Sequence, residues 1–162
     1  MFRRLLAAAM AASAAWTAAC VQDPVIPKVS DDPIVLSISL SSTTFRQGKA
    51  DTIRVTATSS FTQPVALLYD NDCQIVVTIR SASGAPVVPP NGLPTCIPVP
   101  SQLRIPAEGS VTQLFVWTGL DRLLPTGSTT FLPPGTYYIS AAINATNYST
   151  FAPALKVELV AR

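Results

Sequence analysis

Residues 64–96 read PVALLYDNDCQIVVTIRSASGAPVVPPNGLPTC. Two apolar runs, 65–69 and 74–80, flank a polar corner, Asp70-Asn71-Asp72. In the second run Ile75, Val77 and Ile79 share one side and Val76 takes the other, the period of a β-strand with a buried face. The first run is apolar on both sides, so a central position is expected for it. Ser81 to Gly84 carry turn chemistry. Six prolines follow between Pro86 and Pro100. Proline cannot donate to a sheet ladder, so this part is expected as an extended surface loop or a sheet edge.

The same alternation spreads outward from this stretch. Ile34, Leu36, Ile38 and Leu40 share one side against Ser37 and Ser39. Ile53, Val55 and Ala57 do so against Thr52, Arg54, Thr56 and Thr58, with Gln47-Gly48 marking the corner between the two segments. Residues 103–105 make a short strand. Residues 110–118 make a longer one, whose Leu114-Phe115-Val116-Trp117 run is expected to be deeply buried. After a second long connection, Gly119 to Pro134, residues 137–143 alternate again and place Tyr137 and Tyr138 on opposite faces. Leu155, Val157 and Leu159 against Lys156 and Glu158 close the domain. About eight short strands with turn signals, and no helix after the leader, point to an all-β, two-sheet antiparallel β-sandwich with an immunoglobulin-like layout. A closed barrel is the competing answer, disfavoured by the long proline-rich connections. Ser-Thr-Thr-Phe occurs at 42–45 and again at 128–131 without any accompanying period.

The first residues have a different logic. Arg3 and Arg4 precede an alanine-rich apolar run, and small residues then lead to Cys20. Basic, apolar and small residues in that order make a secretory signal peptide, expected over residues 1–19 as a helix that is cleaved. The run is too short to span a membrane. Ala18-Ala19-Cys20 resembles the lipobox of bacterial lipoproteins, with Thr17 where that motif usually has leucine, so Cys20 is the expected lipidation site. Plain secretion after cleavage at Ala19 is the alternative. Residues 20–33, with three prolines and two adjacent aspartates, then read as a tether to a folded domain over 34–162.

The three cysteines fit this reading. With Cys20 acylated, Cys73 and Cys96 remain as an even pair in an oxidising compartment. A bridge between them would stabilise the fold by about 3 kcal/mol in the chain-entropy picture. Two free buried thiols are the alternative. Without Arg3 and Arg4 the remaining basic and acidic residues balance, and no Lys/Arg cluster is present. A nucleic-acid partner therefore has no electrostatic basis.

Chemistry is sparse. The chain has no histidine, which excludes Ser-His-Asp and Cys-His nucleophiles, histidine bases and histidine metal ligands. No glycine-rich phosphate loop is present. A carboxylate pair for glycoside hydrolysis would have to come from very few acids, mainly Asp70, Asp72, Glu108 and Asp121. No catalytic residue, metal site or cofactor is assigned, and the chain is read as a non-enzyme. Asp70-Asn71-Asp72 is the densest oxygen cluster, but calcium needs six to eight ligands, and an Asx turn between two strands is the better reading. Trp117 reads as core, packed on the bridge as in immunoglobulin domains. Asn144-Ala145-Thr146 and Asn147-Tyr148-Ser149 match glycosylation acceptors but read as polar turns.

Several of these pieces resemble the BsuPI family, intracellular proteinase inhibitor-like domains with an immunoglobulin-like sandwich. They are Pro64-Val65-x-Leu67-x-Tyr69 leading to Cys73-Gln74, the Ile79 strand ending near Gly84, and Leu103 and Ile105 before the Gly109 turn. The aromatic strand ending in Trp117 and the Leu132-Pro133-Pro134-Gly135-x-Tyr137 entry complete the set. The resemblance spans about residues 34–143. It implies the sandwich fold and a proteinase-inhibiting role, with no reactive residue carried over.

The best functional candidate is the loop 83–101, and within it Pro89, Pro90, Asn91, Gly92, Leu93 and Pro94. Prolines and a bridge restrict its conformations before binding, which lowers the entropy lost on docking. A loop that merely covers a sheet edge is the competing reading. The expectation is a non-enzymatic cell-envelope lipoprotein, held at the membrane through Cys20, whose domain binds other proteins. The alternative is a proteinase inhibitor using the loop 83–101 or the 119–134 connection.

Overall fold

Alternating apolar residues form the strands, and the strands run in chain order as β1 (Ile34–Leu40), β2 (Thr44–Arg46), β3 (Asp51–Ser59), β4 (Val65–Tyr69) and β5 (Val76–Ser81). They continue as β6 (Pro86–Val88), β7 (Ser101–Ile105), β8 (Ser110–Trp117), β9 (Gly135–Asn144) and β10 (Ser149–Val160). The computed structural model describes residues 34–124 and 130–162. The expected signal peptide, Cys20 and the tether to residue 33 lie outside the described residues, as does part of the 119–134 connection.

The hydrogen-bonded sheets are β1-β3-β8, β2-β10-β9-β5-β6 and the pair β4-β7. All pairings are antiparallel except β2 with β10, which is parallel. The protein is an all-β sandwich. Ile53, Val55 and Ala57 of β3 face inward from one layer, and Val77, Ile79, Ile139, Ala141 and Val157 from the other, all buried in one core. Trp117 ties the layers together. Its ring lies 5.4 Å from Phe45 of β2 and 5.9 Å from Tyr137 of β9, both in the opposite sheet. Its indole N–H donates to the Leu120 carbonyl at 2.6 Å, which satisfies the one polar atom it brings into the core.

Several expectations change. Among the described residues there are ten strands rather than about eight, and three hydrogen-bonded sheets rather than two. The two added strands are the three-residue β2 and β6, too short to show a period. Phe45 of β2 is nevertheless fully buried. β10 begins six residues earlier than 155, because a register shift between Ala152 and Leu155 absorbs Pro153 and breaks the alternation. The 114–117 run is not deeply buried as a unit. Leu114 is 57% exposed and only Trp117 is fully covered, since alternate residues of β8 lie on the outer face of its sheet, where Leu114 stands opposite the exposed Arg54 of β3.

β4 is buried except at Leu68 and does not sit inside a large sheet. Among the described strands it pairs only with β7. Its other edge is met by the β9–β10 connection: Asn147 Oδ1 accepts from the Leu68 N–H at 3.0 Å, and Asn147 Nδ2 donates to the Ala66 carbonyl at 3.0 Å. The Thr146 N–H donates to Leu68 O at 2.7 Å. The acceptor-like Asn147 is therefore a mimic of a neighbouring strand.

Candidate functional site

The corner after β4 organises the loop that follows β6. Asn71 Oδ1 accepts from the Cys73 N–H at 2.9 Å, the Asx turn expected from these residues. Asp72 reaches across instead: its Oδ1 accepts from the Ile97 N–H at 2.7 Å, and its own N–H donates to Ile97 O at 3.1 Å. The Ser101 hydroxyl donates to Asn71 O at 2.6 Å. Between these links lies the disulfide Cys73–Cys96, with Cα atoms 5.6 Å apart. The loop is thus tied at its return end both covalently and through the corner.

At its outgoing end, Pro86–Val88 adds an edge to β5. A single 3-10 turn, Pro90–Gly92, reverses the chain, with the Gly92 N–H donating to Pro89 O at 2.9 Å. Asn91 and Gly92 both have positive φ, 62° and 73°. Gly92 is needed there on two counts, because an added Cβ would also meet the Pro86 ring at 3.2 Å. Leu93 then emerges on extended backbone. From this segment Leu93, Ile97 and Val99 project outward, 77%, 60% and 57% exposed.

Behind the loop is a cleft of about 490 Å³. Its floor is Ile75, Val77 and Val88, its near wall Pro89, Pro90, Leu93 and Pro94, and its far wall Phe115, Leu123 and Leu124. The bridge sulfur residue Cys73 lines the same cleft, alongside Phe115, whereas Trp117 finds its aromatic partners in Phe45 and Tyr137. Four of the six loop residues singled out from sequence therefore meet at one site; Asn91 and Gly92 shape the turn instead. Missed by sequence reasoning were Leu123, Leu124 and Arg122, which come from the long connection and carry no periodic signal.

Among the described residues the one cluster with metal-ligand spacing is Asp72, Cys73 and Cys96. Both sulfurs are used by the bridge, so it offers no thiolates. Burial pushes the Tyr69 hydroxyl well above its usual range, and it has no hydrogen-bond partner among the described residues. Burial likewise raises Tyr137, whose hydroxyl donates to Pro133 O at 2.7 Å. Tyr138 is the exposed member of the pair. Asp51 is buried, with Lys49 Nζ 3.9 Å from its Oδ1. No described helix is long and apolar enough to cross a membrane.

No family model and no curated protein matches the chain. Among solved structures it is similar to an alkylpurine DNA glycosylase of Pseudomonas fluorescens, at 12% identity and a TM-score of 0.48, over 78% of this chain and 30% of that one. It is also similar to a β-glucosidase of Listeria innocua, at 11% identity and a TM-score of 0.45, over 78% of this chain and 16% of that one. A third is the CARDB domain of the PF1109 protein of Pyrococcus furiosus, at 12% identity and a TM-score of 0.43, over 83% of this chain and 93% of that one. The chain therefore spans less than a third of the first two proteins.

Proposed function

We propose that this chain is a non-enzymatic cell-envelope protein, lipid-anchored through Cys20, whose immunoglobulin-like sandwich binds other proteins through the loop 83–101. The observation that carries this reading is the set of exposed apolar side chains, Leu93, Ile97 and Val99, on backbone fastened by a disulfide and by Asp72. Apolar groups held outward on a restrained loop lose little conformational entropy when a partner covers them. The lipobox-like Ala18-Ala19-Cys20 supports the anchor, and the BsuPI-like order of motifs supports the immunoglobulin-like layout.

One feature favours the inhibitor alternative: Leu93 stands exposed on extended backbone (φ −105°, ψ 113°), the shape a protease cleft accepts. Capture from detergent-solubilised envelope tests the main reading. The native chain should retain a partner that the combined Leu93→Asp, Ile97→Asp, Val99→Asp variant does not; equal retention by both would refute it. Titration against a panel of serine proteases tests the alternative, which predicts inhibition lost with Leu93→Asp. Intact mass of the mature protein should show acyl chains on Cys20.

A further inference from the structure

We infer that the cleft behind the loop is a binding site for a single-chain amphiphile with a carboxylate head, a medium-chain fatty acid, whose tail lies on the apolar floor and whose head meets Arg122. This goes beyond the protein-binding reading, which uses the outward side chains of the loop and gives the cleft no role.

Two independent observations lead here. The first is the build of the cleft. Ile75, Val77 and Val88 line it although each is buried, so its floor is the core itself. About 490 Å³ falls within the size range of sites that take small molecules. Each methylene moved from water onto such a floor favours binding. The walls are set before any ligand arrives. Pro89, Pro90 and Pro94 stiffen one of them, and the Cys73–Cys96 bridge ties its return end. On the other, the Leu124 N–H donates to Val116 O at 3.0 Å, which fixes that residue against β8. Preset walls lower the ordering cost of binding.

The second is where its polar groups stand. Of the described residues lining the cleft, only Thr95 and Arg122 carry polar side chains apart from the bridged Cys73, and both are exposed. Polar groups thus lie at the rim and buried apolar ones below, an arrangement that suits a ligand with a head and a tail. Arg122 is the one charged residue among them. It belongs to neither ion pair found among the described residues, which are Lys49–Asp51 and Lys156–Glu158. Asp121, its neighbour in sequence, is not part of the lining. A guanidinium with no acid beside it in the cleft selects an anion, and a carboxylate matches its fork geometry. An uncharged chain would use the floor and leave that cation without a partner.

The test uses the full chain carrying Cys20→Ser, so that no acyl group of its own competes, with decanoate as the probe. Titration calorimetry should find decanoate bound about tenfold more tightly than decanol, the effect of one charge-assisted contact. Decyltrimethylammonium, with the same tail and the opposite charge, should bind more weakly than either. Octanoate should bind about fifteenfold more weakly than decanoate, the loss of two buried methylenes. Arg122 is exposed, so Arg122→Gln should fold; it should bring decanoate down to the affinity of decanol and leave decanol unchanged. Methyl NMR on the same chain should place the shifts caused by decanoate at Val77, Val88, Leu93 and Leu124. Equal affinity for decanoate and decanol overturns the inference, as does absence of decanoate binding up to about 1 mM, a strength any specific contact should exceed. Shifts confined to Ile97 and Val99 overturn it too, because they mark detergent-like coating of the exposed loop. Partner capture through Leu93, Ile97 and Val99 is measured separately, so that reading and this one fail independently.

Discussion

β3 and the proline-rich segment 86–100 are held in opposite ways. β3 is flanked by β1 and β8, and its nine residues alternate between buried and more exposed positions without a break. Residues 53–58 have a paired strand on both sides, and Ile53, Val55 and Ala57 are fully buried. The proline-rich segment has almost no ladder. A disulfide, one aspartate and two short turns hold it instead. A strand is stabilised by many weak and equivalent contacts, so it tolerates the loss of one. A loop tied at few points depends on each of them, and between those points it can present apolar side chains to solvent.

Perturbations of the core should therefore act globally, and perturbations of the ties locally. The largest effect is expected for Trp117→Ala, which removes the side chain joining the two layers. Denaturant unfolding should show a loss of about 4 kcal/mol, in the range for large buried aromatics. A loss under about 1 kcal/mol would mean that the layers do not depend on it. Replacing both Cys73 and Cys96 with serine should cost about 3 kcal/mol in the chain-entropy picture. Far-ultraviolet dichroism should stay that of β-sheet, while limited proteolysis should now cut within 86–100. If cleavage instead falls first in β3, the contrast between strand and loop is wrong.

Asn147→Ala should cost about 2 kcal/mol, because it leaves the Leu68 N–H and the Ala66 carbonyl without their partner. Amide exchange at Leu68 should rise with it. Asp72→Ala should cost about 1 kcal/mol and speed exchange at Ile97, with little change in β3.

The smallest effect concerns pH. The Thr136 hydroxyl donates to Glu158 Oε1 at 2.7 Å, and Lys156 Nζ lies 3.3 Å from the same atom. These hold the Glu158 carboxyl below its usual range, against an opposing push from desolvation. A carboxyl lowered in the folded state adds stability above its unfolded pKa and loses it as pH falls through the folded value. Stability should thus decline slightly on acidification through the carboxylate range, and Glu158→Gln should remove that part of the decline. An unchanged slope in the variant would rule the contact out as its source.

The periodic strands were readable from their residues because burial repeats every second position whatever lies across the core. Ile75, Val77 and Ile79 could be assigned from spacing alone, as could the inward row of β3 and the opposed Tyr137 and Tyr138. The bridge followed from cysteine number and an inferred compartment. β2 and β6 were hidden because three residues cannot display a period. Leu114 was misjudged because an apolar run does not reveal which face of its strand lies on the outside of the sheet. Leu123, Leu124 and Arg122 were missed because a connection of sixteen residues, 119–134, carries no rule for what it will touch.

Local chemistry along the chain thus specified an all-β domain, its inward faces and the Asx turn at Asn71, since each depends on neighbours within a few positions. The cleft needed more. It exists because β5, β6, β8 and two distant connections converge, and such convergence is a property of how the layers stack, to which no short window of residues has access.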